Sequence, residues 1–433
     1  MKVDVLGTMT RPFDSMLLLI RRQGWQCSLA LMVAVAAGSA SAFFLWALEA
    51  VTAWHWSHPM ALWGLPVAGF LVGWLYHRMG KEAERGSNLI IDEIHEPGGG
   101  VPGRMAPLVL IGTLVTHAFG GSAGREGTAV QMGGGLAGWL ARVVRVDGES
   151  RRVMLMCGVA AGFGSVFGTP LAGAIFALEV LTIGRIHYRA WLPVLVASGV
   201  GDAVCSACGT QHTVFPFEGS LEEGGRFWFD GVMLLKVAVA GCVFGLVGRG
   251  FAALTHGLHR LFAKRIAYAP MRPVVGGLMV IGLVWVTGTR AYLGLGLEAG
   301  PGGGASILSA FEAGGAEAWD WMGKTVFTAV TLGSGFKGGE VTPLFYIGST
   351  LGNSLGGWMG APVALFAALG FLAVFAGASN TPIACTVMGV ELFGGHYLVA
   401  FGVACFVAYA CSGKRGIYRA QRVGVAKGKV AGG

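Results

Sequence analysis

Between Val341 and Gly413 a single charged side chain occurs, Glu391. A water-soluble domain has no way to bury so long a charge-free stretch. A bilayer, whose hydrocarbon core is roughly 30 Å thick, requires one. Four further uncharged stretches long enough to cross it come earlier: Trp25–Leu48, Pro59–Tyr76, Val153–Leu178 and Pro273–Thr289. Charged residues make up 12% of the chain, about half the share usual in a soluble domain. The mean hydropathy is +0.63. These features predict an all-α, polytopic integral membrane protein.

Glycine narrows the architecture. There are 74 glycines among 433 residues, more than a bundle of long, unbroken helices needs. Glycine permits close helix approach in lipid and irregular backbone where helices stop inside the membrane. Many tilted and broken helices are therefore expected.

Charge orients the chain. Lys2, Arg11, Arg21 and Arg22 surround a short apolar run in Met1–Gln23, which reads as an amphipathic surface helix. Arg78, Lys81 and Arg85, and the tail after Lys414, are also basic. The positive-inside rule places both termini in the cytoplasm of a multi-pass inner (plasma) membrane protein, with the acidic Phe217–Gly225 segment outside. The net charge of +8 follows from this topology, and no nucleic-acid partner is implied. No Walker loop, HExxH motif or nucleophile–base pair argues for an enzyme, and no cofactor is called for. Cys205-x-x-Cys208 lacks a second pair, and His95 beside Asp92 and Glu93 matches no ligand spacing, so no metal site is expected.

An internal repeat is legible. Phe163, Thr169-Pro170, Ala172 and Glu179 recur as Phe375, Thr381-Pro382, Ala384 and Glu391 at one offset (382 − 170 = 391 − 179 = 212). Upstream, Gly124-Arg125-Glu126-Gly127-Thr128 matches Gly338-Gly339-Glu340-Val341-Thr342. The chain divides into a first membrane repeat, 1–215, an external linker, 216–230, and a second repeat with a short basic tail, 231–433. An odd number of crossings per half would invert one copy relative to the other. Repeats of this kind mark transporters whose site lies near midplane, where discontinuous helices meet.

What such breaks bind follows from electrostatics. A helix that starts inside the membrane presents unpaired N–H groups and about half a positive charge, an anion site. Three starts are predicted, within Gly86–Ile90, Gly121–Gly127 and Gly335–Val341. Arg125 and Lys337 reinforce the field. Glu126 is read as a gate and proton carrier, because an intramembrane carboxylate beside an anion site competes with the anion when charged and withdraws when protonated. A local cap is its simpler role. For Glu179 and Glu391 structural roles are expected. A sodium-coupled transporter of organic solutes shares repeats and broken helices, but its site would carry carbonyls and hydroxyls rather than these cations.

These motifs resemble the CLC family of chloride channels and anion/proton antiporters along nearly the whole chain. The resemblance implies two inverted-topology repeats, a homodimer with one pore per subunit, Glu126 as the external gate, and Ser87 and Tyr418 at the inner anion site. Gly413-Lys414-Arg415-Gly416-Ile417-Tyr418 resembles the family's last helix. The departures point to a branch. Asn88 replaces a glycine, Thr128 a proline, and Glu340-Val341 an apolar pair. Val180 stands where proton-coupled chloride antiporters often carry an internal glutamate. The runs Asn88–Glu93 and Arg125–Thr128 look like the bacterial fluoride/proton antiporters, whereas Ser87 is chloride-like. Fluoride export by proton antiport is the leading expectation, with chloride/proton antiport or a chloride channel as alternatives. Asn88 and Thr128 are nominated as extra polar groups for fluoride.

Overall fold

A computed structural model describes residues 7–217, 230–425 and 427. Helix α1 runs unbroken over Gly7–Ser57. Its 51 residues span about 75 Å, more than a bilayer needs, and Arg21–Ser57 is the part apolar enough to cross. The surface helix expected at Met1–Gln23 is therefore not a separate element. From Gly7 onward it is the leading stretch of the first rod, and residues 1–6 lie outside the described residues. Next come α2 (Leu65–Met79), α3 (Ser87–His95), α4 (Met105–Ala118), α5 (Glu126–Val144), α6 (Gly148–Phe167), α7 (Pro170–Glu179) and α8 (Trp191–Ala207). Most of the expected linker, 218–229, lies outside the described residues.

The second half holds α9 (Gly231–Arg265), α10 (Met271–Thr287), α11 (Asp320–Gly333), α12 (Val341–Met359), α13 (Val363–Ser379), α14 (Pro382–Phe393) and α15 (Leu398–Cys411). The stretch Val153–Leu178, read as one crossing, is two helices. Gly168 takes a positive φ of 69° and ends α6, and Pro170 starts α7. Asn380 and Pro382 make the same corner between α13 and α14. Among the described residues, four helices are long and apolar enough to cross a membrane unaided, and several shorter apolar ones accompany them. The only strands among the described residues are Thr182–Ile183 (β1) and Arg422–Val423 (β2), which pair in parallel and pin the C-terminal segment to the end of α7.

Repeat symmetry is visible in hydrogen bonds. Glu391, near the end of α14, accepts from Leu171 N (2.9 Å) and Ala172 N (2.8 Å) at the start of α7. Glu179, at the end of α7, accepts from Ile383 N (3.1 Å) and Ala384 N (2.8 Å) at the start of α14. Each carboxylate caps the other helix, so the two helices run antiparallel, as inverted copies must. The recurring phenylalanines, Phe163 and Phe375, stack across the same interface with centroids 6.3 Å apart.

These caps have a measurable consequence. A glutamine offers one acceptor oxygen where the carboxylate offers two, and its amide meets the second N–H head-on. Glu391→Gln and Glu179→Gln should each destabilise the fold by about 1–3 kcal/mol. Melting in detergent tests this, and wild-type midpoints for both variants would refute the capping role.

Close packing is also shared. Gly133 on α5 faces Gly158 on α6, and Gly348 on α12 faces Gly370 on α13. An added Cβ would meet the opposing carbonyl oxygen at 2.1 Å from Gly133 and at 2.0 Å from Gly348. In lipid, where apolar surface alone does not drive helices together, such backbone contact holds the halves in shape.

Candidate functional site

A helix starts within each of the three expected segments, at Ser87, Glu126 and Val341, and two of these starts meet directly. Between α4 and α5 the chain crosses the break between α11 and α12. Gly124 N donates to Gly339 O and Gly339 N to Gly124 O, both at 2.7 Å. Glycine is needed at this crossing, since a Cβ on Gly127 would stand 3.0 Å from Gly339 Cα. The starts of α5 and α12 are thus fused into one centre built from both halves.

Glu126, the first residue of α5, is fully buried, and its carboxylate lies on the start of α12. Its Oε2 accepts from Thr342 N at 3.0 Å and from the Thr342 hydroxyl, and Arg125 N stands 3.3 Å away. Arg125 Nε approaches Oε1 at 3.4 Å. The carboxylate therefore occupies the seat that an anion would take at a helix N-terminus. Val341 is buried beneath it, and Glu340 caps the helix by position without a side-chain bond to it. Thr342 completes the seat and escaped the sequence reading, because its partner lies 216 residues away.

The third start is that of α3. A Cβ on Gly86, before α3, would stand 3.0 Å from the Gln131 amide of α5, which adds a polar group that no motif marked. Asn88 Oδ1 accepts from Ala420 N at 3.0 Å, tying α3 to the segment that carries Tyr418. With Oδ1 fixed, the amide Nδ2 remains to donate. Tyr418 is buried against Phe176 and lies within electrostatic reach of Glu340 and Glu126. Among the described residues, no protein hydrogen bond engages the hydroxyls of Ser87 or Tyr418. Gln421 anchors this segment by donating to Val180 O (2.9 Å) and Ser379 O (2.7 Å).

Two nominated groups point elsewhere. The Thr128 hydroxyl bonds to Thr113 on α4 at 2.8 Å, so it joins α5 to α4 rather than facing the anion seat. Lys337 lies over the Tyr76 ring, 4.1 Å from its centroid. Cys205 is buried beside Thr210 (3.2 Å), whereas Cys208 is exposed, and the two thiols are unpaired.

Arg125, Glu126 and Thr342 share a narrow cavity with Phe167, Phe345 and Phe371. It holds about 10 Å³, close to the space of one water.

Comparison with known proteins agrees with this geometry. The chain is similar to the chloride/fluoride channel protein of Pseudomonas syringae pv. tomato, 52% identical over 406 residues that cover 92% of this chain and 87% of that one. It is also similar to the H(+)/Cl(−) exchange transporter ClcA of Cronobacter sakazakii, at 29% identity over 68% of this chain and 64% of that one. Among solved structures, the crystal structure of a CLC-type fluoride/proton antiporter superposes with a TM-score of 0.86 and 35% identity, covering 92% of this chain and 98% of the other. Residues 68–413 match the family model of voltage gated chloride channels, and with a fold of inverted repeats that join helix starts around a buried glutamate, the chain belongs to that family.

Proposed function

We propose that the protein exports fluoride from the cytoplasm in exchange for protons, as a homodimer in the inner membrane with both termini inside. The observation that carries the reading is the Glu126 carboxylate seated on the start of α12, where it accepts two hydrogen bonds from Thr342. A group held there as an anion is displaced by another anion once a proton discharges it. One side chain thereby trades a proton for the transported ion.

The anion enters past Tyr418 and Ser87, whose hydroxyls are available as donors. Fluoride is smaller and more strongly hydrated than chloride, so its site must supply more or better donors to offset dehydration. The Asn88 amide, with its oxygen fixed by Ala420 N, is the added donor. Val180 carries no acid for the inner proton path. Glu126 itself, swinging inward toward Tyr418 and Glu340, takes that part. The likeness to the solved fluoride/proton antiporter, at 35% identity, supports this reading.

Liposomes loaded with fluoride or chloride, followed by ion electrode and pH together, test it. Fluoride efflux with stoichiometric proton uptake is the expected result. Chloride efflux at an equal or greater rate would instead favour the chloride exchanger.

A further inference from the structure

Near the Glu126 cavity, several buried polar atoms lack a protein hydrogen bond. Ser165 Oγ and Thr169 Oγ1, at the corner between α6 and α7, are fully buried and unbonded. Asp202 Oδ1 on α8 and both ring nitrogens of His212, in the loop that follows α8, are also without hydrogen bonds. His212 Nε2 nevertheless stands 3.3 Å from Asp202 Oδ1, an ion-pair distance.

The segments that carry these atoms pack together. A Cβ on Gly168 would come within 2.6 Å of the His212 ring, and a Cβ on Gly201, next to Asp202, within 3.0 Å of Ser165 Oγ. The equivalent corner of the second half is closed, because Ser379 Oγ and Thr381 Oγ1 bond to each other at 2.6 Å. Buried polar groups are nearly always paired with protein or with ordered water. Bridging water along this seam, between α6, α8 and the loop that carries His212, would satisfy them. Thr213, next to His212, and Phe167, next to Gly168, line the same cavity as Glu126.

The charged and titratable groups around the pair are Glu391, in electrostatic reach of Asp202, and Arg125, Cys205 and Cys208, grouped around Cys205. Glu391 is tied to the start of α7, Arg125 to Glu126 and Cys205 to Thr210. His212 and Asp202 are left with free bonding capacity.

We propose that His212, oriented by Asp202, takes protons from the outer solution and passes them to Glu126 through water held in this seam. The inference rests on Glu126 being the proton carrier. The imidazole binds a proton on one ring nitrogen and releases one to a bridging water. That water protonates the Glu126 carboxylate, and the imidazole returns to neutral with no other bond changed.

Right-side-out vesicles loaded with fluoride provide the test, with external pH varied from about 8 to about 6. His212→Ala should slow coupled efflux at least about ten-fold and alter its external-pH profile while keeping the proton-to-fluoride ratio. External imidazole should restore the rate. His212→Gln, which keeps a polar side chain of similar reach, should show the same loss and serves if the alanine variant fails to fold. Wild-type rates and pH profiles in the variants, or slowed rates that imidazole leaves unchanged, overturn the relay. Wild-type vesicles that release fluoride with no proton uptake would overturn the role of Glu126 itself.

Discussion

Glu126→Gln should abolish proton movement while fluoride continues to cross, now down its own gradient alone. Glutamine keeps one acceptor for Thr342 N but carries no charge to compete with the anion and no acidic proton to deliver. Proton uptake should fall by at least ~100-fold, the lower range for loss of a positioned acid or base. Fluoride and pH recorded together in liposomes give the ratio directly. An unchanged ratio of protons to fluoride would remove Glu126 from the mechanism. It would leave the carboxylate as a helix cap, the simpler role of an acid at the start of α5.

Gly348→Ala should prevent assembly of the second half. The new methyl would lie 2.0 Å from Gly370 O and 2.4 Å from its carbonyl carbon, both backbone atoms that no rotamer can move. Helices α12 and α13 would have to part along the line that also stacks Phe345 on Phe371 at 3.8 Å. Overpacking of this severity costs about 3 kcal/mol or more. The loss reaches the site, because α12 carries Thr342. Gly357→Ala on the same helix, where an added Cβ meets nothing within 4 Å, is the control and should behave as wild type. Yield of monodisperse protein and melting midpoint measure both. Equal behaviour of the two variants would show that the close crossing is not needed.

How much of this could be read from residue order depends on the range of the physics. The break at Gly124–Gly127 was legible because glycines and a lone acid in an apolar stretch have few other uses. The capping roles of Glu179 and Glu391 were foreshadowed by their common offset from Thr-Pro. The seat itself was not legible, since Thr342 looks like any helix-start threonine until the fold lays Glu126 on it. Thr128 was misread for the converse reason. It sits in the motif, yet Thr113, fifteen residues earlier, claims its hydroxyl. The pairing of β1 with β2 involves two residues on each side and leaves no periodic trace. Helix α1 hid its length because basic residues near its beginning look like a surface segment, although they do not interrupt the backbone.

The reciprocal bonds between Gly124 and Gly339 limit what kind of machine this is. A transporter whose halves tilt apart must have a seam that can open, and here the seam runs through the proposed anion seat and is stitched by main-chain bonds. Separating the halves would dismantle that seat in the act of exposing it. The proposed exchange therefore calls for movements the size of a side chain, against a scaffold that stays still.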